Sequence, residues 1–591
     1  MRFSIPSCTL LLSLASAPLY SQSATNAYVR HNLIADQAAV GADQVDTGLI
    51  NAWGVAFSAT GPFWLSATGT GLSTVYSSSA TSTITISTLR VTVPPAPSSG
   101  AMNGSPTGIV VSPANFPIQG KNTSFIFDTL DGTISGWANA LNPTAAVIAV
   151  DNSSSGAIYT GLAVGGTTAN PWLYAANFHS GAVEIYDVNY KAVAMPGAFI
   201  DAMIPAGYAP FNIWPLNGKL YVTYTQQDAA KKNYLTGAGI GYVDAFDMNG
   251  VLLQRVTSGG ALNAPWGVAI APPSFGTFSN KLLVGNFGDG KINAYDPTTG
   301  GYLGVLQDST GTPIAIPGLW ALIQGNGRSS GDSNAIYFAA GGGNQLHGVL
   351  GSLQAAPAVS ASGVVNAASS LPGSAPNTIL SIFGANLAST SRNWATKDFN
   401  NNALPTTVDG VGVTINGKPA YVTYVSPTQV NVLAPQDTTT GPVPIVVTNN
   451  GLTSASATMT LSATAPAFFS FGKNAIAALH ADNTPVGATG LITGSTPAKA
   501  GETIVLYATG LGPTNPAYPV GQLITQPYPL AGTPTVTFGS TQATVSFAGL
   551  VAAGLYQINV TVPASTPSGD TPVICTLNGA STQSGAIITV Q

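Results

Sequence analysis

Asn51-Ala-Trp-Gly-Val-Ala56 decides the reading of this chain, because degraded copies of it recur along the first 350 residues. The counterparts are Pro106-Thr-Gly-Ile-Val, Tyr159-Thr-Gly-Leu-Ala, Ile213-Trp-Pro-Leu, Pro265-Trp-Gly-Val-Ala and Leu319-Trp-Ala-Leu. With Trp53, Thr107, Thr160, Trp214, Trp266 and Trp320 as anchors, the spacings are 54, 53, 54, 52 and 54 residues. So constant a period means one supersecondary unit copied six times. After each anchor come a short strand, a second strand such as Phe63-Trp-Leu-Ser or Leu282-Leu-Val-Gly, and a glycine-containing turn. A third strand then ends near an aromatic: Tyr76, Trp137, Tyr186, Phe246 or Tyr295. Alternation, as in Val183-Glu-Ile-Tyr186, favours strands over helices. Four strands per repeat predict a six-bladed β-propeller over residues 25–355. The sixth repeat lacks an obvious fourth strand, and Tyr28-Val-Arg-His-Asn-Leu-Ile-Ala35 is unassigned. That segment is expected to complete the last blade and close the ring, which removes sheet edges.

Composition sets the class. Charged residues make up 7% of the 591, hydrophobic residues 45%, with 67 Gly and 42 Pro and a net charge of −5. Disorder needs low hydrophobicity and high charge, so this is a turn-rich, all-β, folded chain. No Lys/Arg cluster exists to neutralise a run of phosphates, which argues against nucleic acid as a partner. Residues 1–23 read as a cleaved signal peptide: Arg2 precedes the apolar run Cys8 to Leu19, with cleavage after Ala17 or near Ser21 to Ala24. The mature chain then holds Cys575 alone, a small buried hydrophobe in a strand-like run, and no intramolecular disulfide. No later segment has the apolar length of a membrane span. The expected location is extracellular or periplasmic.

Residues 356–362 are small and proline-containing, as a linker would be. Beyond them lies a two-fold repeat. Thr378-Ile-Leu-Ser-Ile-Phe-Gly-Ala-Asn-Leu387 parallels Thr503-Ile-Val-Leu-Tyr-Ala-Thr-Gly-Leu511, and Gln429-Val-Asn-Val parallels Gln557-Ile-Asn-Val. Short, evenly spaced strands predict two immunoglobulin-like β-sandwich modules, at 363–465 and 466–591.

Two resemblances attach to these stretches. Residues 28–353 resemble an uncharacterised family of secreted bacterial propellers distantly similar to the NHL-repeat group. The match is carried by Asn51-Ala-Trp-Gly-Val-Ala-Phe-Ser58, Gly61-Pro-Phe-Trp64, Ile204-Pro-Ala-Gly-Tyr-Ala-Pro-Phe-Asn212, Leu262-Asn-Ala-Pro-Trp-Gly-Val-Ala269, Leu283-Val-Gly-Asn-Phe-Gly-Asp-Gly290 and Gly318-Leu-Trp-Ala-Leu322. The resemblance implies a fold and no activity. The tail is similar to the IPT/TIG group of immunoglobulin-like modules, through Val364-Val-Asn-Ala-Ala368, Ser381-Ile-Phe-Gly-Ala-Asn-Leu387 and Tyr424-Val-Ser-Pro-Thr-Gln-Val-Asn431. That implies a spacer or adhesive role by fold-level analogy.

Catalytic patterns are sparse. The chain has two glutamates, Glu184 and Glu502, and four scattered histidines, His31, His179, His347 and His480. A glycosidase needs two opposed carboxylates, and no Asp pair is singled out by spacing. His-Glu-x-x-His, Cys-x-x-Cys, Gly-x-Ser-x-Gly and phosphate-loop patterns are missing. Glu184 alternates with Val183 and Ile185, so it should point away from the blade's buried face.

Three features invite a functional reading. The turns after the second strands carry Asp128 and Asp131, Asn177 and His179, and Asn286 and Asp289. Asx residues there stabilise tight turns; ringing one channel mouth, they would also offer oxygen ligands to calcium. An insertion in blade four, with Gln227, Asp228 and Lys231, concentrates charge and should lie on the same face, as a solvated loop or as a binding lip. The Trp53, Trp214, Trp266 and Trp320 indoles serve either blade packing or, if exposed, carbohydrate stacking. The leading expectation is a non-catalytic secreted protein that binds an extracellular polysaccharide, a cell-surface component or a protein at the channel mouth. The alternative is a metal-dependent propeller hydrolase of lactonase type, holding a divalent cation on Asn51, Asn212 and Asn263, with Asn103 beside them but no glutamate. A third reading makes the chain a passive envelope or matrix component.

Overall fold

The computed structural model describes residues 26–591 apart from 79–83, 114–115, 168–169 and 473. The segment read as a signal peptide lies outside the described residues. The chain is all-β and divides into two compact units, residues 26–355 and 356–591.

Six blade sheets and a small two-stranded one, Pro117–Ile118 with Lys121–Asn122, build the first unit among the described residues. The inner strands of the blades are Ala52–Ala56, Pro106–Val111, Tyr159–Gly166, Tyr208–Leu216, Pro265–Ile270 and Leu319–Gln324. Each packs on the next and the last on the first, so the ring closes. The last blade is finished by the N-terminal strand Tyr28–Ala35, antiparallel to Val349–Ala355 with Tyr28 opposite Ala355. Tyr28 also donates its phenol O–H to the Phe275 carbonyl at 3.0 Å, tying the chain's start to blade five.

The inner strands share a two-for-one bulge that explains the repeated motif. Trp53 and Gly54, Thr107 and Gly108, Thr160 and Gly161, Trp266 and Gly267, and Trp320 and Ala321 each lie opposite one residue of the second strand. A bulge bends the strand and re-aims its side chain; here it turns the anchor toward the centre. The glycine lets the next blade come close. A Cβ on Gly54 would stand 2.5 Å from the Thr107 carbonyl oxygen, and one on Gly267 2.4 Å from that of Trp320.

Blade four corrects the sequence alignment. Its bulge falls on Phe211 and Asn212, opposite Thr223, so Phe211 and not Trp214 is the fourth anchor. Asn212 takes the glycine's place and reaches the Trp266 carbonyl with its own amide, Nδ2 to O 2.8 Å. Trp214 sits three residues on, half-buried against the apolar cluster that includes Val268.

Blade three also departs from expectation. Its sheet has three strands, Tyr159–Gly166, Pro171–Asn177 and Ala182–Tyr186. A fourth strand starts, with Val193 N–H donating to the Ile185 carbonyl, and goes no further. Met195-Pro-Gly197 then turns the chain away, Gly197 at φ 85°. Pro196 has no N–H to continue a ladder, and Phe199 N–H is bound to the Gly250 carbonyl of blade four.

The second unit holds two modules, each a pair of sheets. Strand Ala358–Asn366 starts inside the segment expected to be a linker, pairing with Ile379–Ala385 across a register shift between Val359 and Val364. The small residues there serve that bulge, with Ser362 at φ 57°. The two-fold repeat is real in space: Ile379–Ala385 pairs with Gln429–Leu433 as Thr503–Thr509 pairs with Leu555–Thr561. It extends to side chains, for Gln429 donates to Asn431 Oδ1 at 2.8 Å and Gln557 to Asn559 Oδ1 at 2.7 Å. Cys575 is buried among the apolar residues of the last module, and burial pushes its thiol up to about 12.

Candidate functional site: the roofed centre of the propeller

The anchors meet at the propeller's axis and fill it. Trp53 and Trp320 stack at 3.5 Å between centroids, Trp266 meets both edge-on at 6.3 and 6.0 Å, and Phe211 meets Trp320 at 5.8 Å. Offset and edge-on contacts are the favoured aromatic geometries. The three indoles are 2% exposed or less, so they offer no face to a sugar. Trp266 extends far enough to donate its Nε1–H to the Thr160 carbonyl at 2.8 Å. The small anchors Thr107 and Thr160 leave the room that the indoles of other blades take up.

A second tier lies above. The residue after the second strand points inward in blades two, three and five, as Leu130, Phe178 and Phe287, all packed on the aromatic cluster. The blade-four insertion supplies Tyr234, whose ring meets Phe287 at 4.9 Å, Phe211 at 4.9 Å and Trp320 at 5.8 Å. Its phenol oxygen accepts Gln345 Nε2–H at 2.6 Å. Residues 227–235 therefore roof the centre, on the face expected for them.

The roof joins several residues that the sequence singled out. Gln227, nearly buried, donates its amide to the Phe178 carbonyl and, at 3.3 Å, to that of His179. His179 Nδ1 lies 3.1 Å from the Lys231 carbonyl. Lys231, at φ 54°, is exposed at the lip. Asp228 accepts Lys232 N–H at 2.8 Å and Asn233 Nδ2–H at 2.7 Å, and these bonds hold its carboxyl below the usual carboxylate range. Asp289, in the blade-five turn, lies 3.4 Å from Lys291 Nζ and accepts Asn286 Nδ2–H at 3.1 Å. Asn286 is buried and also donates to the Ala261 carbonyl at 2.8 Å. Asp131 accepts Ser105 N–H at 2.7 Å, and burial raises its carboxyl.

Asp128 does not belong to this rim. Thr129, and not Asp128, pairs with Pro106 as Asn177 pairs with Tyr159 and Asn286 with Pro265. Asp128 is one position earlier, opposite the bulge, where other blades carry Ser66, Ala176, Thr223, Gly285 and Ala339. One residue of offset puts a side chain on the other face of a strand. Asp128 is fully buried. Its Oδ1 accepts Thr107 Oγ1–H at 2.8 Å and Gly108 N–H at 2.5 Å. Burial pushes its carboxyl up to about 6, against the opposing pull of those two bonds.

The three asparagines proposed as metal ligands are committed to protein groups. Asn51 Oδ1 accepts Trp320 Nε1–H at 2.9 Å, and its Nδ2 donates to Gln345 Oε1 at 3.2 Å. Asn212 holds Trp266 as described, and Asn263 Oδ1 accepts Gly237 N–H at 2.7 Å, pinning the end of the insertion. Asn103 is exposed and donates to the Thr70 carbonyl at 3.2 Å. Among the described residues no three of His, Cys, Asp and Glu gather as a ligand set.

Sequence reasoning missed one polar cluster. Glu184 does lie opposite Val183 and Ile185, but the neighbouring blade covers that face too. Glu184 Oε2 accepts the hydroxyls of Tyr159 and Tyr186, each at 2.6 Å, and Oε1 accepts Asn177 Nδ2–H at 2.7 Å. Asn152 of blade two donates to both tyrosine oxygens, at 2.7 and 2.9 Å. Burial, with the adjacent carboxylate, raises both phenols above their ordinary value. Tyr159 on the first strand faces Asn177 on the second, and Tyr186 ends the third; no local spacing in the sequence links them to Glu184.

An uncharacterised protein of Acanthamoeba polyphaga mimivirus is 32% identical over 326 residues, covering 53% of this chain and 76% of the viral protein. The chain belongs to this protein's family. Another member from the same virus is 32% identical over 259 residues, 42% of this chain and 67% of its own length. A third viral relative is 35% identical over 214 residues, 34% of this chain and 39% of its own. In the tail, residues 364–462 match the IPT/TIG domain. Among solved structures, a streptogramin B lyase is 8% identical with a TM-score of 0.32, over 55% of this chain and 97% of the lyase. A putative gluconolactonase is 14% identical with a TM-score of 0.27, over 42% of this chain and 87% of its own.

Proposed function

We propose that this family member is a non-catalytic, exported binding protein. Its propeller holds a macromolecular ligand on the roofed mouth, and its immunoglobulin-like modules act as spacer or tether. The ligand class is an extracellular polysaccharide, a cell-surface component or a protein. One observation carries the reading: the insertion 227–235 closes the centre over a rigid aromatic base and leaves a polar lip. His179, Asp228, Lys231 and Asp289 stand on that lip, each held by bonds to its own or a neighbouring turn. Functional groups on loops held by a rigid scaffold are the common arrangement of binding sites. A filled axis suits a broad ligand laid across the mouth better than a small one held within.

The test is a pull-down on cellulose, chitin, starch and intact cells, comparing the full chain with an Asp228→Ala/Lys231→Ala variant. Retention by one surface, lost in the variant at an unchanged unfolding midpoint, is the expected result. Equal retention of both proteins on every surface removes the lip from the argument. The lactonase-type alternative finds support in Asp128, whose buried Oδ2 has no hydrogen-bond partner among the described residues. Metal analysis of the purified chain after dialysis decides it: about one tightly held divalent ion per chain, lost in Asp128→Ala, would favour the hydrolase.

A further inference from the structure

The unfinished blade three leaves a strand position empty beside a groove of about 390 Å³. Main-chain groups of a strand alternate between its two edges. The Ile185 carbonyl is bound on the outer edge by Val193 N–H, and Asp187 N–H donates to the Lys191 carbonyl on that same edge. Two-residue periodicity therefore puts the N–H and C=O of Val183 on the outer edge as well. There the segment after Val193 has already turned away. No hydrogen bond joins it to Val183 among the described residues.

The groove has two unlike walls. One carries Glu184 with Asn152 and Tyr186 hydrogen-bonded to it; the other carries Val193, Met195 and Ala198, packed on one apolar cluster. Glu184 is the acid among the lining residues, and no Lys or Arg lines the groove. Among the described residues its Oε1 accepts one hydrogen bond, from Asn177, and its Oε2 three. An occupant must supply backbone donors and acceptors to Val183, apolar side chains to one wall and cationic donors to the other. A strand's side chains alternate between faces with a period of two, so one extended segment meets all three demands.

We propose that the outer edge of Ala182–Tyr186 accepts a strand from a partner protein, an extended segment alternating apolar with basic residues, as the missing fourth strand of blade three. Strand addition draws its affinity from main-chain hydrogen bonds and its specificity from alternate side chains. Charge complementarity with Glu184 selects the basic partner.

The experiment uses the full chain and two fluorescent, acetylated and amidated nine-residue peptides, one alternating valine with lysine, the other valine with glutamate. Fluorescence anisotropy is expected to show the lysine peptide binding roughly ten-fold more tightly. Glu184→Gln should erase that preference. Val183→Pro removes an edge N–H that the sheet does not use, and should weaken the lysine peptide by roughly ten-fold or more at an unchanged unfolding midpoint. Should that variant unfold, a lysine peptide N-methylated at alternate valines replaces it, and must lose binding to the unaltered chain. The proposal is overturned if neither peptide saturates the protein, if the glutamate peptide binds equally well, or if Val183→Pro or N-methylation changes nothing. A dimer that Val183→Pro dissolves, with no peptide binding, overturns it in favour of a second copy of this chain.

Discussion

Blades two and three differ from the other four at the propeller's centre. Blades one, four, five and six send Trp53, Phe211, Trp266 and Trp320 to the axis, whereas blades two and three send Thr107 and Thr160. The backbone bulge is shared; the filling is not. Large residues from one side occupy the volume that small ones leave on the other, as close packing requires. On the threonine side stand the buried carboxyl of Asp128 and the tyrosine-bound carboxylate of Glu184. The repeat thus sets a common frame, and its departures mark where polar groups were admitted.

The largest test of this asymmetry is Trp320→Ala, which removes the ring stacked on both Trp53 and Phe287. It should cost about 3–5 kcal/mol, the usual figure for a large aromatic deleted from a core. Urea unfolding followed by tryptophan fluorescence reads it, since seven of the eight tryptophans precede residue 355. No loss of midpoint would mean that the centre is not the propeller's core.

Thr160→Trp imposes the commoner anchor on blade three. By the repeat alone it should stabilise the blade. The packing predicts about 1–3 kcal/mol of destabilisation through crowding, because the Trp266 indole already reaches the Thr160 carbonyl. Stabilisation in the same assay would show that the two sides are interchangeable.

Glu184→Gln should cost about 1–2 kcal/mol, since an amide nitrogen would face hydroxyls that now donate to a carboxylate. Tyr159→Phe and Tyr186→Phe should each relieve part of that loss in a double-variant cycle. Additive effects would break up the cluster.

The smallest effect concerns pH. Asp128 is raised from 3.8 to about 6 by burial, and Asp244 in blade four to about 7 by burial and then by the charge of Asp201, against the opposing pull of Arg255. In both, the folded chain holds its proton after the unfolded chain has lost it. The contribution of these two groups to stability is therefore full below about pH 4 and is lost as pH rises through about 6 and 7. Asp244→Asn should raise the unfolding midpoint at pH 8 and leave it unchanged at pH 4. The dependence that remains, centred nearer 6, belongs to Asp128. A variant with the original pH profile would place Asp244's proton elsewhere.

Much of this was legible beforehand. The 54-residue period gave the blades, the alternation in Val183–Tyr186 gave a strand, and the unassigned Tyr28–Ala35 gave the closure. The slips share one cause. Trp214 resembled an anchor by residue type, and Asp128 resembled a turn residue by its neighbours. Each lay a few positions from its structural equivalent, and only strand register separates such alternatives. The cluster around Glu184 joins Asn152, Tyr159, Asn177 and Tyr186 from two blades, and no spacing rule links them.

The sequence by itself determined what repeats: the number of units, the glycine that lets blades approach, the aromatic near the end of five third strands, and the doubled module of the tail. Those are local or periodic constraints, written into each copy. Tertiary structure alone decided what fills the axis, which polar groups are buried and which strand edge stays open. Each of those depends on side chains from different blades sharing one space, where size and hydrogen-bonding capacity on one side set what the other can hold.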